Sequence, residues 1–180
     1  LEQSRGRIAE ALGAARREIV FVRGGTESDN LALLGRADAT RAGKAQPCIV
    51  TSAIEHKAVL DAARSIQADG GRTIVLPVDR MGMVDMDALA EALGENPCVV
   101  SIMWVNNEVG MVQPMREIVE LCAAQGVSVH SDAVQAVGRV PVRVDEVSVD
   151  LLSLSGHKLY GPKSAGALFV RSGTEVHARI

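Results

Sequence analysis

Residues 153–171 read SLSGHKLYGPKSAGALFVR, and this stretch decides how the end of the chain folds. Two strand-like runs, one ending at Ser155 and one beginning at Gly166, are separated by a segment that contains Gly161-Pro162. A parallel crossover needs a dozen or more residues, and the gap is shorter, so the two runs are predicted to pair antiparallel. Lys158 follows the apolar run 149–154, which leaves two interpretations: a solvated loop lysine or a buried reactive amine.

The rest of the chain alternates between apolar strand-like runs and segments with helical periodicity. Strands are predicted at 18–24, 47–53, 72–78, 98–105, 126–132, 149–155 and 166–172, and helices at about 2–13, 27–38, 56–69, 86–94 and 114–125. Several strands are continuous apolar runs, which is typical of a parallel sheet covered on both faces. We therefore predict an α/β fold with a mostly parallel sheet of about seven strands, helices on both faces and one antiparallel strand.

Composition excludes several classes of function. The chain has 180 residues, 47% of them hydrophobic, and a formal net charge of -3 with both signs interspersed, which predicts one compact domain without a nucleic-acid or membrane-binding face. No apolar stretch reaches the roughly 20 residues that span a bilayer, and no signal-peptide pattern opens the chain. Cys48, Cys98 and Cys122 lack metal-ligand spacing. They indicate small buried side chains in a reducing, cytoplasmic compartment, and no metal site is predicted.

Polar side chains follow five of the predicted strands. Ligands of open α/β sheets bind beyond the carboxyl ends of the strands, so these residues are expected to lie at one site. In chain order they are Gly24, Gly25, Thr26, Glu27; Glu55, His56; Asn106, Asn107, Glu108; Asp132, Gln135; and Ser155, His157, Lys158.

The segment RGGTESDN (23–30) has two interpretations. Its glycines and the start of the following helix could present free N–H groups to a phosphate. Alternatively, Thr26 and Asp29 form an ordinary capping box. The segment matches neither the G-x-G-x-x-G dinucleotide fingerprint, which disfavours a dehydrogenase, nor a Walker P-loop.

Two further residues each allow a chemical and a structural interpretation. His56 begins a helix, where a positively charged ring is disfavoured, so it could stack on a flat ligand or serve only as a helix-start residue. Asp132 could hold a pyridinium nitrogen protonated or cap a turn. Pyridoxal phosphate needs a Schiff-base lysine, an acidic partner for its ring nitrogen and a phosphate cradle, and this chain offers candidates for all three.

Five segments give the chain a resemblance to a known family. They are GGTESDNLALLG, TSAIEHKAVLDAA, VSIMWVNNEVGMVQPM, SDAVQAVGRVPV and SLSGHKLYGPKSAGALFVR, in family order over nearly the whole chain. The sequence resembles the cysteine desulfurases (NifS/IscS-like), class V members of the aminotransferase fold type I that bind pyridoxal 5'-phosphate.

The resemblance implies roles for nine residues. Lys158 forms the Schiff base and moves protons at the substrate's α-carbon and at C4′, and His56 stacks on the cofactor ring and assists proton transfer. Asp132 pairs with the pyridine nitrogen, and Gln135 bonds the phenolic oxygen. The remaining residues are expected to hold the phosphate (Gly25, Thr26, Ser155 and His157) or to lie beside the cofactor and the substrate carboxylate (Asn107).

The resemblance also sets expectations for the whole enzyme. Residues 1–180 correspond to the large cofactor-binding domain, whereas the N-terminal arm and the small domain, with its catalytic cysteine loop and substrate-carboxylate arginine, lie outside this sequence. The enzyme would convert L-cysteine to L-alanine and leave a persulfide that supplies iron–sulfur cluster or thio-cofactor assembly through a sulfur-acceptor or scaffold protein. A homodimer is expected. None of Cys48, Cys98 and Cys122 matches the catalytic cysteine, so the 180-residue chain alone is expected to lack turnover.

Two other functions remain open from the sequence. A selenocysteine lyase or another class V enzyme shares the lysine, aspartate and histidine. A non-catalytic remnant that binds a partner or acts as a scaffold is the alternative from a different class.

Overall fold

A computed structural model describes residues 1–178 and contains one seven-stranded sheet with the strand order β1-β7-β6-β5-β4-β2-β3. The strands are β1 Ile19–Val22, β2 Cys48–Ser52, β3 Arg72–Leu76, β4 Val99–Ser101, β5 Val129–Asp132, β6 Leu151–Ser155 and β7 Gly166–Val170. β7 runs antiparallel to both of its neighbours, β1 and β6, and the remaining pairs are parallel. The predicted sheet, with its one antiparallel strand, is confirmed.

Residues 1–178 contain five α-helices, of which the first precedes β1 and the other four lie between successive strands. They are α1 Glu2–Leu12, α2 Gly25–Ala42, α3 Lys57–Ala68, α4 Met86–Leu93 and α5 Met115–Ala123, and two short 3₁₀ helices lie at Arg16–Glu18 and Gly156–Leu159. Each predicted helix is present, but α2 begins two residues earlier than expected and extends to Ala42. Its N-cap is Gly24, without a side-chain cap bond, so the predicted Thr26–Asp29 capping box is wrong.

The helices cover both faces of the sheet, as the continuous apolar strands predicted. On one face, α1, α4 and α5 bury Leu12, Leu89 and Ile118 against the sheet. On the other face, α2 and α3 bury residues such as Leu33 and Ile66. Each such fully buried aliphatic side chain stabilises the fold by about 1.5–3 kcal/mol through its removal from water. Within residues 1–178, no helix combines the length and apolarity that crossing a membrane requires.

The α2 face of the central strands carries polar as well as apolar side chains. In the sheet register Ser101 pairs with His130, and Asp132 pairs with Ser153. All four are buried, with exposed fractions between 0 and 6%. Buried polar groups need hydrogen-bond partners, and an apolar core would not require them. This row of polar side chains therefore marks a candidate functional region of the sheet.

Candidate active site

The nine residues singled out in the sequence line one small cavity of about 150 Å³ at the carboxyl ends of β5 and β6. They are among the fourteen residues that follow the predicted strands, and the other five, Gly24, Glu27, Glu55, Asn106 and Glu108, do not line this cavity. Three further residues complete the wall, namely Asp29, Met103 and Val134. The cavity joins an open groove of about 910 Å³, with which it shares Gly25, Thr26 and His157.

Lys158 reaches the cavity from the 3₁₀ turn that follows β6. The turn is closed by main-chain bonds, from the Gly156 N–H to the Ala165 carbonyl (2.8 Å) and from the Gly161 N–H to the Gly156 carbonyl (2.9 Å). The Lys158 carbonyl accepts a bond from Nη2 of Arg139 at 3.0 Å. The backbone that carries the amine is thus fixed from both sides, and the side chain is half-buried rather than solvated.

The N-terminus of α2 forms the second wall of the cavity. A Cβ atom on Gly25 would approach Cγ2 of Val134 to 2.9 Å, so only glycine lets the helix start come this close to the segment after β5. Opposite this start, the Ser155 hydroxyl lies 2.8 Å from Nδ1 of His157. Free helix N–H groups, a hydroxyl and an imidazole together form a set of donors suited to a phosphate.

Asp132 and His56 form the opposite end of the cavity. Asp132 ends β5, is 6% exposed, and its Oδ1 accepts the Val134 N–H at 2.9 Å. Burial raises the pKa of Asp132, and the Val134 bond and nearby His56 oppose that rise. His56 is the N-cap of α3, and its Nδ1 accepts the Ala58 N–H at 3.1 Å. Nδ1 therefore carries a lone pair, while the rest of the exposed ring is free to contact a ligand.

Asn106 and Asn107 have different roles. Asn106 is buried, its Nδ2 donates to the Ile54 carbonyl at 2.8 Å, and its Oδ1 accepts two main-chain N–H groups of the following turn. Asn107 is exposed and faces the cavity. The first asparagine therefore builds the turn that presents the second.

Two buried acids lie near the cavity: Asp29, which was not predicted as a site residue, and Glu55, a predicted strand-end residue that does not line the cavity. Asp29 is 1% exposed, and its Oδ1 has no hydrogen-bond partner. The pKa of Asp29 is raised well above its ordinary value, mainly by burial and then by the charge of Asp132. Glu55 accepts bonds from the Ser52 hydroxyl (2.6 Å) and the Met103 N–H (2.9 Å), and burial raises its pKa to about 8.

A buried histidine, also not predicted, crosses beneath the site. His130 is fully buried in β5, with Nδ1 2.8 Å from the Ser101 hydroxyl and Nε2 2.9 Å from the Ser153 hydroxyl. Burial lowers its pKa to about 3, so the ring is neutral at physiological pH. Its contact with Oδ1 of Asp29 at 3.6 Å is for that reason not an ion pair.

The three cysteines lie away from the cavity. Cys48 and Cys122 are buried, and Cys98 is partly buried. Burial raises the pKa of all three thiols, that of Cys122 to about 12, which disfavours the reactive thiolate. Within residues 1–178, no cysteine is therefore placed to act on a molecule in the cavity.

Comparison with known proteins agrees with this geometry. Residues 1–179 match the family described as aminotransferase class-V. The chain is 46% identical over 181 residues to the cysteine desulfurase IscS of Dictyoglomus turgidum, covering 100% of this chain and 45% of that protein. It is 45% identical to the cysteine desulfurase of Mus musculus, covering 95% of this chain and 37% of that protein. The chain thus spans less than half the length of these relatives.

Solved structures show the same fold. A NifS-like protein superposes with a TM-score of 0.95 at 35% identity, covering 99% of this chain and 49% of the other. A structure described as SspA in complex with cysteine gives 0.93 at 37% identity, covering 99% of this chain and 52% of the other. Both structures therefore have a counterpart of nearly every element described above.

Proposed function

The chain belongs to the aminotransferase class-V family, and from that membership we propose that it is the pyridoxal-phosphate-binding large domain of a cysteine desulfurase. The observation that carries the proposal is the cavity that places the amine-bearing Lys158, the carboxylate of Asp132 and the helix start at Gly25 on one surface. The relatives named cysteine desulfurase support the choice of reaction within the family.

The residues present fit the cofactor at its phosphate end. Gly25 leaves space that any Cβ atom would fill, and the helix N–H groups beside it are free to donate. Ser155 and His157 lie 2.8 Å apart, and their mutual hydrogen bond holds both side chains in place while one donor hydrogen of the pair is left for the phosphate. Together with Thr26 these groups would bind a phosphate without a metal ion.

The ring end fits as well. Asp132 has one oxygen engaged by the Val134 N–H, and its other oxygen is left to pair with a protonated ring nitrogen. When bound, pyridoxal phosphate supplies an electron sink for the substrate's α-carbon. His56 would cover one face of the ring, and Gln135 would donate to the phenolic oxygen. Asn107 would lie beside the substrate carboxylate.

Lys158 would act as the covalent anchor and as the proton carrier. Its turn places the amine in the same cavity as Asp132, so it can hold a proton and move it between the α-carbon of the substrate and C4′. The ordered turn keeps the amine near both positions. Less entropy is therefore lost in reaching the transition state than if the amine had to diffuse to them.

For the whole enzyme we propose the conversion of L-cysteine to L-alanine, with the sulfur atom passing to a cysteine thiolate as a persulfide. No cysteine of residues 1–178 lines the cavity, so we propose none of them as that nucleophile, and residues 1–180 alone would bind the cofactor without turnover. The same proposal includes a homodimer, a sulfur-acceptor or scaffold protein as partner, and a cytoplasmic location.

The test is covalent trapping of the cofactor. The chain is incubated with pyridoxal phosphate, reduced with borohydride, digested and mapped by mass spectrometry. We expect a pyridoxyl group on the peptide that contains Lys158 and its loss in Lys158→Ala. Lys163→Ala is the matched control, because Lys163 lies exposed on the same loop and lines only the adjoining groove. A label confined to Lys163, or none at all, would contradict the proposal.

A further inference from the structure

Asp29 occupies an unusual position for a carboxyl group. It lies one turn into α2, 1% exposed, on the wall of the same cavity that Asp132 and Lys158 line. One oxygen each of Asp29 and Asp132 and one ring nitrogen of His56 lie within 4.8 Å of one another. Two carboxylates this close in a buried site repel each other, so one of them is expected to hold a proton.

The surroundings of the two carboxyls differ. Asp132 receives the Val134 N–H at 2.9 Å and lies near the imidazole of His56, both of which favour its ionised form. Asp29 has a buried Oδ1 with no donor, and the ring beside it, that of His130, is neutral. An ionised carboxylate that has an oxygen without a donor is costly to bury, whereas a neutral carboxyl group is much less so.

The charged and titratable groups near Asp29 come from three parts of the chain. From β5 these groups are Asp132 and His130, from the segment after β2 they are Glu55 and His56, and from the turn after β6 it is Lys158. Asp132 and Glu55 both raise the pKa of Asp29, after burial as the main cause, and only a bond from Ser153 opposes them.

We propose that Asp29 is the proton-holding member of a carboxyl pair with Asp132, so that a single negative charge, on Asp132, faces the ring nitrogen of the bound cofactor. Asp29 is then a positioning residue: it contributes no charge of its own, and Asp132 stays ionised beside it. This role rests on the proposed function, because it concerns the same cofactor site. The protonation itself is a property of the chain without cofactor and is tested separately.

The test uses carbon-13 NMR of the chain labelled only at aspartate carboxyl carbons. Glu55 carries no label and therefore gives no signal that could be confused with that of Asp29. We expect one aspartate resonance to keep the position of a neutral carboxyl at pH 7. It should be absent in Asp29→Asn and present in Asp132→Asn. Loss of the neutral resonance in Asp132→Asn, with retention in Asp29→Asn, would assign the proton to Asp132 and overturn the proposal. So would an ordinary titration of both groups.

A second measurement keeps the proposal open to refutation if one variant is poorly folded. Pyridoxal phosphate uptake is followed by absorbance across pH in wild type and in Asp29→Asn, which is a neutral isostere of the proposed form. We expect the two pH profiles to coincide within about 0.3 units, since no charge has been removed. A midpoint displaced by about one unit or more would mean that Asp29 is ionised, and would overturn the proposal.

The two failures are distinguishable. An unlabelled Lys158 in a chain whose Asp29 resonance is neutral would refute the cofactor site and the positioning role that depends on it. A labelled Lys158 in a chain whose Asp29 is ionised would refute the positioning role alone. Circular dichroism of each variant establishes that the fold is retained before either result is interpreted.

Discussion

The main-chain N–H of Met103 donates to Oε1 of Glu55 at 2.9 Å, and this bond joins the segment after β2 to the segment after β4. The same oxygen accepts the Ser52 hydroxyl at 2.6 Å. Because His56 is the next residue, the position of its ring depends on this buried anchor. Glu55 therefore supports the site structurally. Because burial shifts its pKa, its protonation state can be followed through the pH dependence of the free energy of unfolding.

We predict that the chain without cofactor loses stability as the pH rises past the ordinary range of a glutamate. Burial raises the pKa of Glu55 from 4.5 to about 8, so the folded chain binds this proton more tightly than the unfolded chain. Its contribution is complete below about pH 4.5 and is lost as the pH rises through about 8. Urea unfolding at a series of pH values should show this decline.

Glu55→Gln should remove this part of the profile, about 1.4 kcal/mol per pH unit between the two pKa values. Asp29 and Asp132 contribute slopes of the same sign, so the profile flattens without becoming level. Glu108→Gln, at an exposed glutamate after β4, is the matched control. An unchanged slope in Glu55→Gln would show that Glu55 ionises normally in the folded chain.

His130 should give the opposite pH dependence. Burial lowers its pKa from 6.5 to about 3, so the unfolded chain binds this proton more readily and stability falls as the pH drops below 6.5. His130→Leu leaves two buried hydroxyls, those of Ser101 and Ser153, without their partner, which costs about 1–3 kcal/mol for each at neutral pH. The difference in the free energy of unfolding between wild type and His130→Leu should therefore become smaller from pH 7 to pH 4, because only the wild type loses stability through this histidine. A constant gap would contradict the prediction.

Most of the fold could be predicted from the sequence, because its signals are local. The continuous apolar runs predicted the parallel sheet, and the short connection before Gly166 predicted the antiparallel strand. The strand-end rule predicted only that fourteen residues would lie near one edge of the sheet, and the resemblance to a known family selected the nine of them that line the cavity. None of these inferences required knowing which side chains touch.

The residues that were missed depend on tertiary contacts. Asp29 stands in a helix start, where an acid normally caps or faces solvent, and only the packing of α2 on β5 and β6 buries it. His130 lies inside a strand, where its side chain could face either layer. The burial of Glu55 depends on the Met103 N–H, which reaches it from the segment after β4. A polar residue within an apolar run, as in the segment VSVHSD (127–132), was the only available signal for His130.

Gly166→Ala should damage both stability and cofactor uptake. A Cβ atom at this position would lie 2.6 Å from Cα of Gly24 and 2.8 Å from the Leu154 carbonyl, and neither backbone can yield easily. We expect a loss of about 1–3 kcal/mol in the free energy of unfolding. Because Gly24 precedes the helix start of the phosphate end, uptake of pyridoxal phosphate should weaken as well. Gly43→Ala is the control, since its nearest neighbours lie at 3.4 Å or beyond and its φ is negative.

Ser155→Ala separates cofactor binding from folding. The hydroxyl lies 2.8 Å from Nδ1 of His157, so its removal deletes one hydrogen bond of the pair that faces the phosphate, while the β-carbon and the β6–β7 pairing stay. Loss of one hydrogen bond to a charged group predicts about tenfold weaker binding of pyridoxal phosphate, measured by absorbance titration. Ser65→Ala, on the exposed part of α3, should bind as wild type does. Weaker binding of pyridoxal, which lacks the phosphate, by the same factor would show that Ser155 supports the ring instead, because a phosphate donor can affect only the phosphorylated form.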